Sequence, residues 1–193
     1  MRLVLLSTVG LFVVAPAAMA QVMSVGTNPG RACYEAARDE SRSERALAIC
    51  TDALQYNLNA PYDRVATLVN RGIVRMYRGE LTSALADYDA ALAEKPTHAE
   101  AMLNKGIVVL RMPGRAAEAR ALFSAALDAN TSKPELAHLA RGVAHEQLGD
   151  PRAAYRDYRR AAALRPDWQL AQQELKRFRP RGATGGGAGQ GAL

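Results

Sequence analysis

The sequence predicts an all-α chain: an α-solenoid of stacked helical hairpins with a C-terminal capping helix. Three observations lead there. Alanine supplies 38 of the 193 residues and aromatics only 6%, while Ala, Leu, Arg, Glu and Gln all favour helix. Runs of bulky β-branched and aromatic residues, which a large sheet core needs, are few. The third observation is internal periodicity. Gly79, Gly114 and Gly149 stand 35 residues apart, as do Ala84, Ala119 and Ala154, then Tyr88, Phe123 and Tyr158, then Ala91, Ala126 and Ala161. A hydrophobic content of 49% and only two cysteines argue against a disordered chain and against a disulfide-dense miniprotein.

Residues 1–20 read as a signal peptide. Arg2 gives a positive start, Leu3 to Val14 is mostly apolar, and Ala18-Met19-Ala20 puts small residues where a signal peptidase reads. The expected mature chain begins at Gln21, with 21–29 as a flexible lead. An uncleaved anchor is the alternative, but the apolar stretch is short for a span of ~20 residues. No later segment is apolar enough to cross a membrane, so no span is expected in the mature protein. Export to a bacterial periplasm is the expected address, and that compartment is oxidising. The formal charge of +6 would suggest nucleic acid in a cytosolic protein. Outside the cytoplasm, acidic proteins and anionic envelope polymers are the available partners, and no nucleic acid is expected.

Residues 30–64 form a degenerate hairpin. Ala46, Cys50, Ala53 and Leu54 stand 38 residues before Ala84, Tyr88, Ala91 and Leu92, so Cys50 takes the aromatic place. The preceding segment, Arg31 to about Asp39, is a short first helix carrying Cys33. If the two helices pair, Cys33 and Cys50 face each other. An oxidising compartment favours a disulfide between them over two buried thiols.

Three regular units follow, at 65–98, 99–134 and 135–168. In the first, Leu68, Gly72 and Met76 keep a helical period, Gly79 stops that helix, and Ala84, Tyr88, Ala91 and Leu92 mark one face of a second. In the third, Gly149-Asp150-Pro151 reads as a C-terminal cap, an N-cap and a first-turn proline. Gly72, Gly106 and Gly142 lie inside first helices, where glycine costs about 1 kcal/mol against alanine. A packing reason is required, and Ala84, Ala119 and Ala154 are expected opposite them. Residues 167–179 form a capping helix. Asp167 is its expected N-cap, and Trp168, Ala171, Leu175 and Phe178 lie on one face. Residues 180–193, rich in glycine, read as a disordered tail.

Across about 65–168 the sequence resembles the tetratricopeptide repeat (TPR) family. The matching residues are the first-helix glycines, the inter-helix glycines, the second-helix alanines and aromatics, and the terminal prolines Pro96 and Pro166. The first-helix tryptophan and tyrosine of the family are replaced by Leu68 and Arg75, and Met112-Pro113-Gly114 carries an extra residue. The resemblance implies that first helices line a concave surface holding a peptide or helix of a partner protein. By helical phase that surface should carry Val69, Asn70, Ile73 and Tyr77, then Leu103, Asn104, Ile107 and Arg111, then Leu139, Val143 and Gln147. Packing between adjacent repeats is the competing reading for the apolar members. The groove lacks the basic cluster with which family members clamp a C-terminal carboxylate.

Nothing nominates an enzyme, a cofactor or a metal site. The cysteines lack a C-x-x-C spacing, and the glycine-rich stretch sits at a terminus rather than between a strand and a helix. His138 and His145 share a helix with no carboxylate or cysteine at ligand spacing, so both read as surface or groove residues. Arg71 with Asp87, and Arg141 with Asp157, stand 16 apart and read as structural ion pairs within hairpins. Lys105 occupies the same place in the middle unit but faces Leu122, so its partner is missing. Arg152, Arg156, Arg159 and Arg160 make a basic helix face, a solvated surface or a contact for an anionic envelope polymer. An interaction module is the first reading of function. A structural subunit of an envelope assembly, or a polymer binder, is the second. The oligomeric state is left open.

Overall fold

The computed structural model describes residues 29–56 and 61–177. The segment expected to be a signal peptide, the residues after it up to 28, Phe178 and the glycine-rich tail lie outside the described residues. Among those described there are helices and no strands: α1 (Pro29–Arg38), α2 (Glu44–Tyr56), α3 (Pro61–Tyr77), α4 (Leu81–Glu94), α5 (Ala99–Leu110), α6 (Ala116–Asp128), α7 (Pro134–Gln147), α8 (Pro151–Leu164) and α9 (Gln169–Arg177). None of them is long and apolar enough to cross a membrane. The chain is an all-α solenoid of helical hairpins. Each of α1, α3, α5 and α7 pairs with the even helix after it, α9 packs on α8, and first helices also stack on one another, α1 on α3, α3 on α5 and α5 on α7.

Local chemistry sets the helix ends. Gly79, Gly114 and Gly149 turn with φ of +83°, +76° and +76°, the left-handed region that glycine enters without steric cost. Asp150 then caps α8, its carboxylate accepting from the Ala153 amide at 2.9 Å, and Pro151 takes the first turn. Asn130, at φ 56°, ends α6 in the unit that lacks the usual terminal proline. Asp167 lies in the turn before α9, not at its cap; the helix begins one step later, with Trp168 carbonyl accepting from the Gln172 amide. The α3 helix starts at Pro61, four residues before the expected unit boundary.

The interior is a chain of four apolar clusters, one per hairpin, each sharing residues with a neighbour. Leu54 of α2 and Val108 of α5 join the cluster around Tyr88. Val74 of α3 enters the one around the cysteines, and Ala171 of α9 closes the last one against Tyr158. Tyr88, Phe123 and Tyr158 are fully buried. The first-helix glycines face these rings rather than the expected alanines. A Cβ on Gly72, Gly106 or Gly142 would lie 2.5, 2.6 or 2.5 Å from the Cε1 of Tyr88, Phe123 or Tyr158, so the ring occupies the volume a side chain would need. The Cys33 and Cys50 sulfurs lie 2.10 Å apart, at bonding distance, and join α1 to α2. Trp168 and Leu175 pack with Ala171 over the end of the stack. Arg177 of α9 pairs with Glu146 of α7 at 2.5 Å, and the same carboxylate accepts the Tyr158 hydroxyl proton.

Candidate functional site: the groove of the first helices

The first helices α1, α3, α5 and α7 border a groove of about 550 Å³. Val69, Asn70, Ile73, Tyr77, Leu103, Asn104, Ile107 and Arg111 all reach it, as helical phase predicts. Its floor is apolar, and two of the floor residues belong equally to the core. Val69 is 4% exposed and Leu103 1%, so truncating either opens a cavity as well as altering the groove. Ile73 and Ile107 are only partly buried and offer the floor's accessible apolar surface.

The structure does not bring Leu139, Val143 and Gln147 to this groove. Leu139 is buried and packs with Val143 in the cluster around Tyr158, and Gln147 is exposed. The α7 helix meets the groove through its start instead, at Ser132, Lys133 and Leu136. Sequence reasoning also missed the α1 wall, which supplies Tyr34, Ala37 and Arg38. The degenerate hairpin gave no repeat phase to follow, but Tyr34, 54% exposed, lies one position from the cysteine that fixes its helix.

The polar groups divide into spent and unspent. The Asn104 amide donates to the Glu100 carbonyl of its own helix at 2.8 Å. The Glu100 carboxylate accepts from the Ser132 amide at 2.9 Å, tying α5 to the entry of α7. Burial opposes its ionisation, yet these bonds hold its carboxyl below the usual range. His98 caps α5, its Nδ1 accepting from the Ala101 amide at 3.2 Å. Burial lowers its pKa, which keeps the ring neutral and the cap intact at pH 7. Glu100 stands 3.9 Å from the same nitrogen, too far for a hydrogen bond. Burial, and then a hydrogen bond to Glu40, push the Tyr77 hydroxyl up to about 12. By contrast, the Asn70 side chain makes no hydrogen bond among the described residues. Arg111 and Lys133 likewise make no ion pair among them.

Both expected ion pairs form, inside larger networks. Arg71 meets Asp87 at 2.7 Å, and Arg75, standing where the family tyrosine would be, meets the other oxygen at 2.8 Å. Asp87 is 3% exposed at its side chain. Arg141 grips Asp157 through two nitrogens at 2.8 and 2.9 Å. Lys105 is not without a partner: it reaches Asp89 of the preceding hairpin at 2.6 Å, because α4 and α5 are neighbours in space. His138 and His145 are not plain surface or groove residues either. They flank Asp157 at 2.9 and 3.9 Å, a carboxylate from the next helix that spacing along one helix does not reveal. Among the described residues no group of His, Cys, Asp and Glu could hold a metal ion.

A model of the tetratricopeptide repeat family matches residues 69–134 and again 114–171. No curated protein matches the chain. Among solved structures, the MamA RS-1 ArsTM double mutant superposes with a TM-score of 0.61 at 22% identity, covering 78% of this chain and 82% of that one. A tetratricopeptide repeat protein from Parabacteroides merdae ATCC 43184 superposes with a TM-score of 0.60 at 21% identity. That alignment covers 76% of this chain and 55% of the other, so this chain spans about half its length. At such identities the likeness is one of fold.

Proposed function

The chain belongs to the tetratricopeptide repeat family, and from that premise we propose that it is a non-enzymatic interaction module, exported to the cell envelope, that holds a peptide or helix of a partner protein in the groove of its first helices. TPR repeats generally mediate protein–protein interaction. The observation that carries the narrower reading is Asn70: an amide with no partner among the described residues, beside the partly exposed Ile73 on an apolar floor. An amide there can both donate to and accept from a partner's backbone. Asn104, one repeat on, keeps its carbonyl oxygen and one N–H for the same use. Export rests on the Ala18-Met19-Ala20 pattern, and an oxidising compartment would keep Cys33 and Cys50 joined.

A photo-crosslinking residue at Asn70, compared with one at the exposed Ala86 of α4, tests both parts in cells. The expected outcome is a defined adduct from position 70, none from position 86, and a periplasmic protein whose intact mass begins at Gln21. Equal adducts from both positions sink the groove reading; a retained Met1 or a cytoplasmic location sinks export. A second reading, contact with an anionic envelope polymer, is favoured by the exposed arginines Arg152, Arg156, Arg159 and Arg160 of α8. High salt weakens such contact strongly and an apolar groove little.

A further inference from the structure

The last regular hairpin differs from its two predecessors in one respect that folding does not require. Arg156, Arg159 and Arg160 occupy the positions of Ala86, Asp89 and Ala90 in α4, and of Ala121, Ser124 and Ala125 in α6. Those helices form and bury the same faces without a single arginine there. In α8 the three arginines are exposed and make no ion pair among the described residues. Arg156 and Arg160 stand at i and i+4, where like charges oppose the helix.

These side chains border an open basin of about 670 Å³ between α7 and α8, shared with His138, Arg141 and His145. Its one lining carboxylate, Asp157, is committed: Arg141 binds both its oxygens, and His138 lies at 2.9 Å. Burial works against the charged form of Asp157, but these bonds prevail and hold its pKa below the ordinary carboxylate value. Arg141 also donates to the Ser124 hydroxyl of α6 at 3.1 Å, so the basin's rear wall is fixed from two helices. The His145 Nδ1 is buried and has no hydrogen-bond partner. Beyond the lining, Arg120 of α6 adds positive charge near His145, against Asp150 at the start of α8; Asp128 of α6 acts on Arg141.

We propose that this basin is a binding site for a compact polyanion carrying two or more phosphate-type groups. It sits apart from the groove. It rests on the anionic reading of α8 and narrows that reading from the whole helix face to the side chains that border the basin. Three uncommitted guanidiniums within five residues supply the forked donors that match phosphate oxygens. Arg152, on the same helix, does not line the basin and carries the same charge, which makes it an internal control.

Calorimetric titration of the full chain with inorganic tripolyphosphate, at low and at physiological salt, tests the site. Wild-type protein should bind saturably. Arg159→Glu with Arg160→Glu should weaken binding by about tenfold or more, as charge-assisted bonds are lost and replaced by repulsion. At physiological salt, where screening of an exposed charge outside contact is strongest, Arg152→Glu should change it by less than about threefold. Unchanged helical circular dichroism shows that the variants fold. An equal loss in Arg152→Glu overturns the basin and leaves the open-face polymer reading standing. Absence of tripolyphosphate binding overturns the basin outright, and if phosphatidylglycerol vesicles alone are bound, the contact is with a flat anionic surface instead.

Discussion

Gly106 shows how one missing methyl group sets the distance between two helices. Its Cβ would stand 2.6 Å from Phe123 Cε1 and 2.9 Å from Cδ1, and the ring is fully buried. Overpacking of this kind costs ~1–3 kcal/mol, while removing a helical glycine returns about 1 kcal/mol. Gly106→Ala is therefore expected to lower the thermal midpoint, with a net loss of up to ~2 kcal/mol; a raised midpoint would show that the ring yields. His98 is a second residue whose role depends on a single atom. Its Nδ1 accepts the Ala101 amide, and protonation turns that acceptor into a donor. Burial depresses its pKa below 6.5, so the cap's contribution is whole above that value and is lost as pH falls through the folded pKa. A cap is worth ~1 kcal/mol. Amide exchange at Ala101, corrected for intrinsic rate, should keep its protection above pH 6.5 and lose it as pH falls below that value in the wild type. His98→Asn, which keeps an acceptor and cannot titrate, should abolish that dependence; a parallel loss in both proteins would assign it elsewhere.

Among the helices that make up the hairpins, α1 is the weak member. It has ten residues, and isolated helices shorter than ~12–15 residues are marginal. It buries only Cys33 and Ala37, and α2 has no aromatic where the regular hairpins place Tyr88, Phe123 or Tyr158. A cross-link closing a loop of this size contributes roughly 3 kcal/mol in the chain-entropy account. Cys50→Ser is expected to fray residues 30–56 first and leave α5 to α8 protected, because stacked repeats lose structure by neighbouring units. Hydrogen exchange mapped along the chain would show this; a uniform loss of protection through all the hairpins would mean that the stack behaves as one cooperative unit. Since Tyr34, Ala37 and Arg38 of α1 wall the groove, the same variant should also weaken capture of the partner crosslinked from Asn70.

The whole molecule separates two surfaces of opposite character. The groove spans α1, α3, α5 and the start of α7, with an apolar floor and few unspent polar groups. The basin lies between α7 and α8, with arginines on its rim and one satisfied carboxylate beneath them. The two share no lining residue, so a change in one leaves the other's geometry in place. Packing of first helices on first helices creates the groove. The basin instead follows from one hairpin's departure in sequence from its siblings. Four apolar clusters that borrow residues from their neighbours hold both surfaces on one framework.

Read alone, the amino-acid sequence specifies the hairpins, their order, the glycine turns and the buried aromatic of each regular unit. All of these are local or are repeated at a fixed spacing, and periodicity reports them directly. It also determined the residues of the groove on α3 and α5, where helical phase and facing coincide. Where α7 meets that groove depends on packing between helices, which sets Leu139 and Val143 against Tyr158 instead. Tertiary contact likewise decided that the glycines face rings rather than alanines, that Lys105 reaches Asp89, and that two histidines seven residues apart share Asp157. Each of these joins residues from different helices, at separations set by packing and not by the period of any one helix.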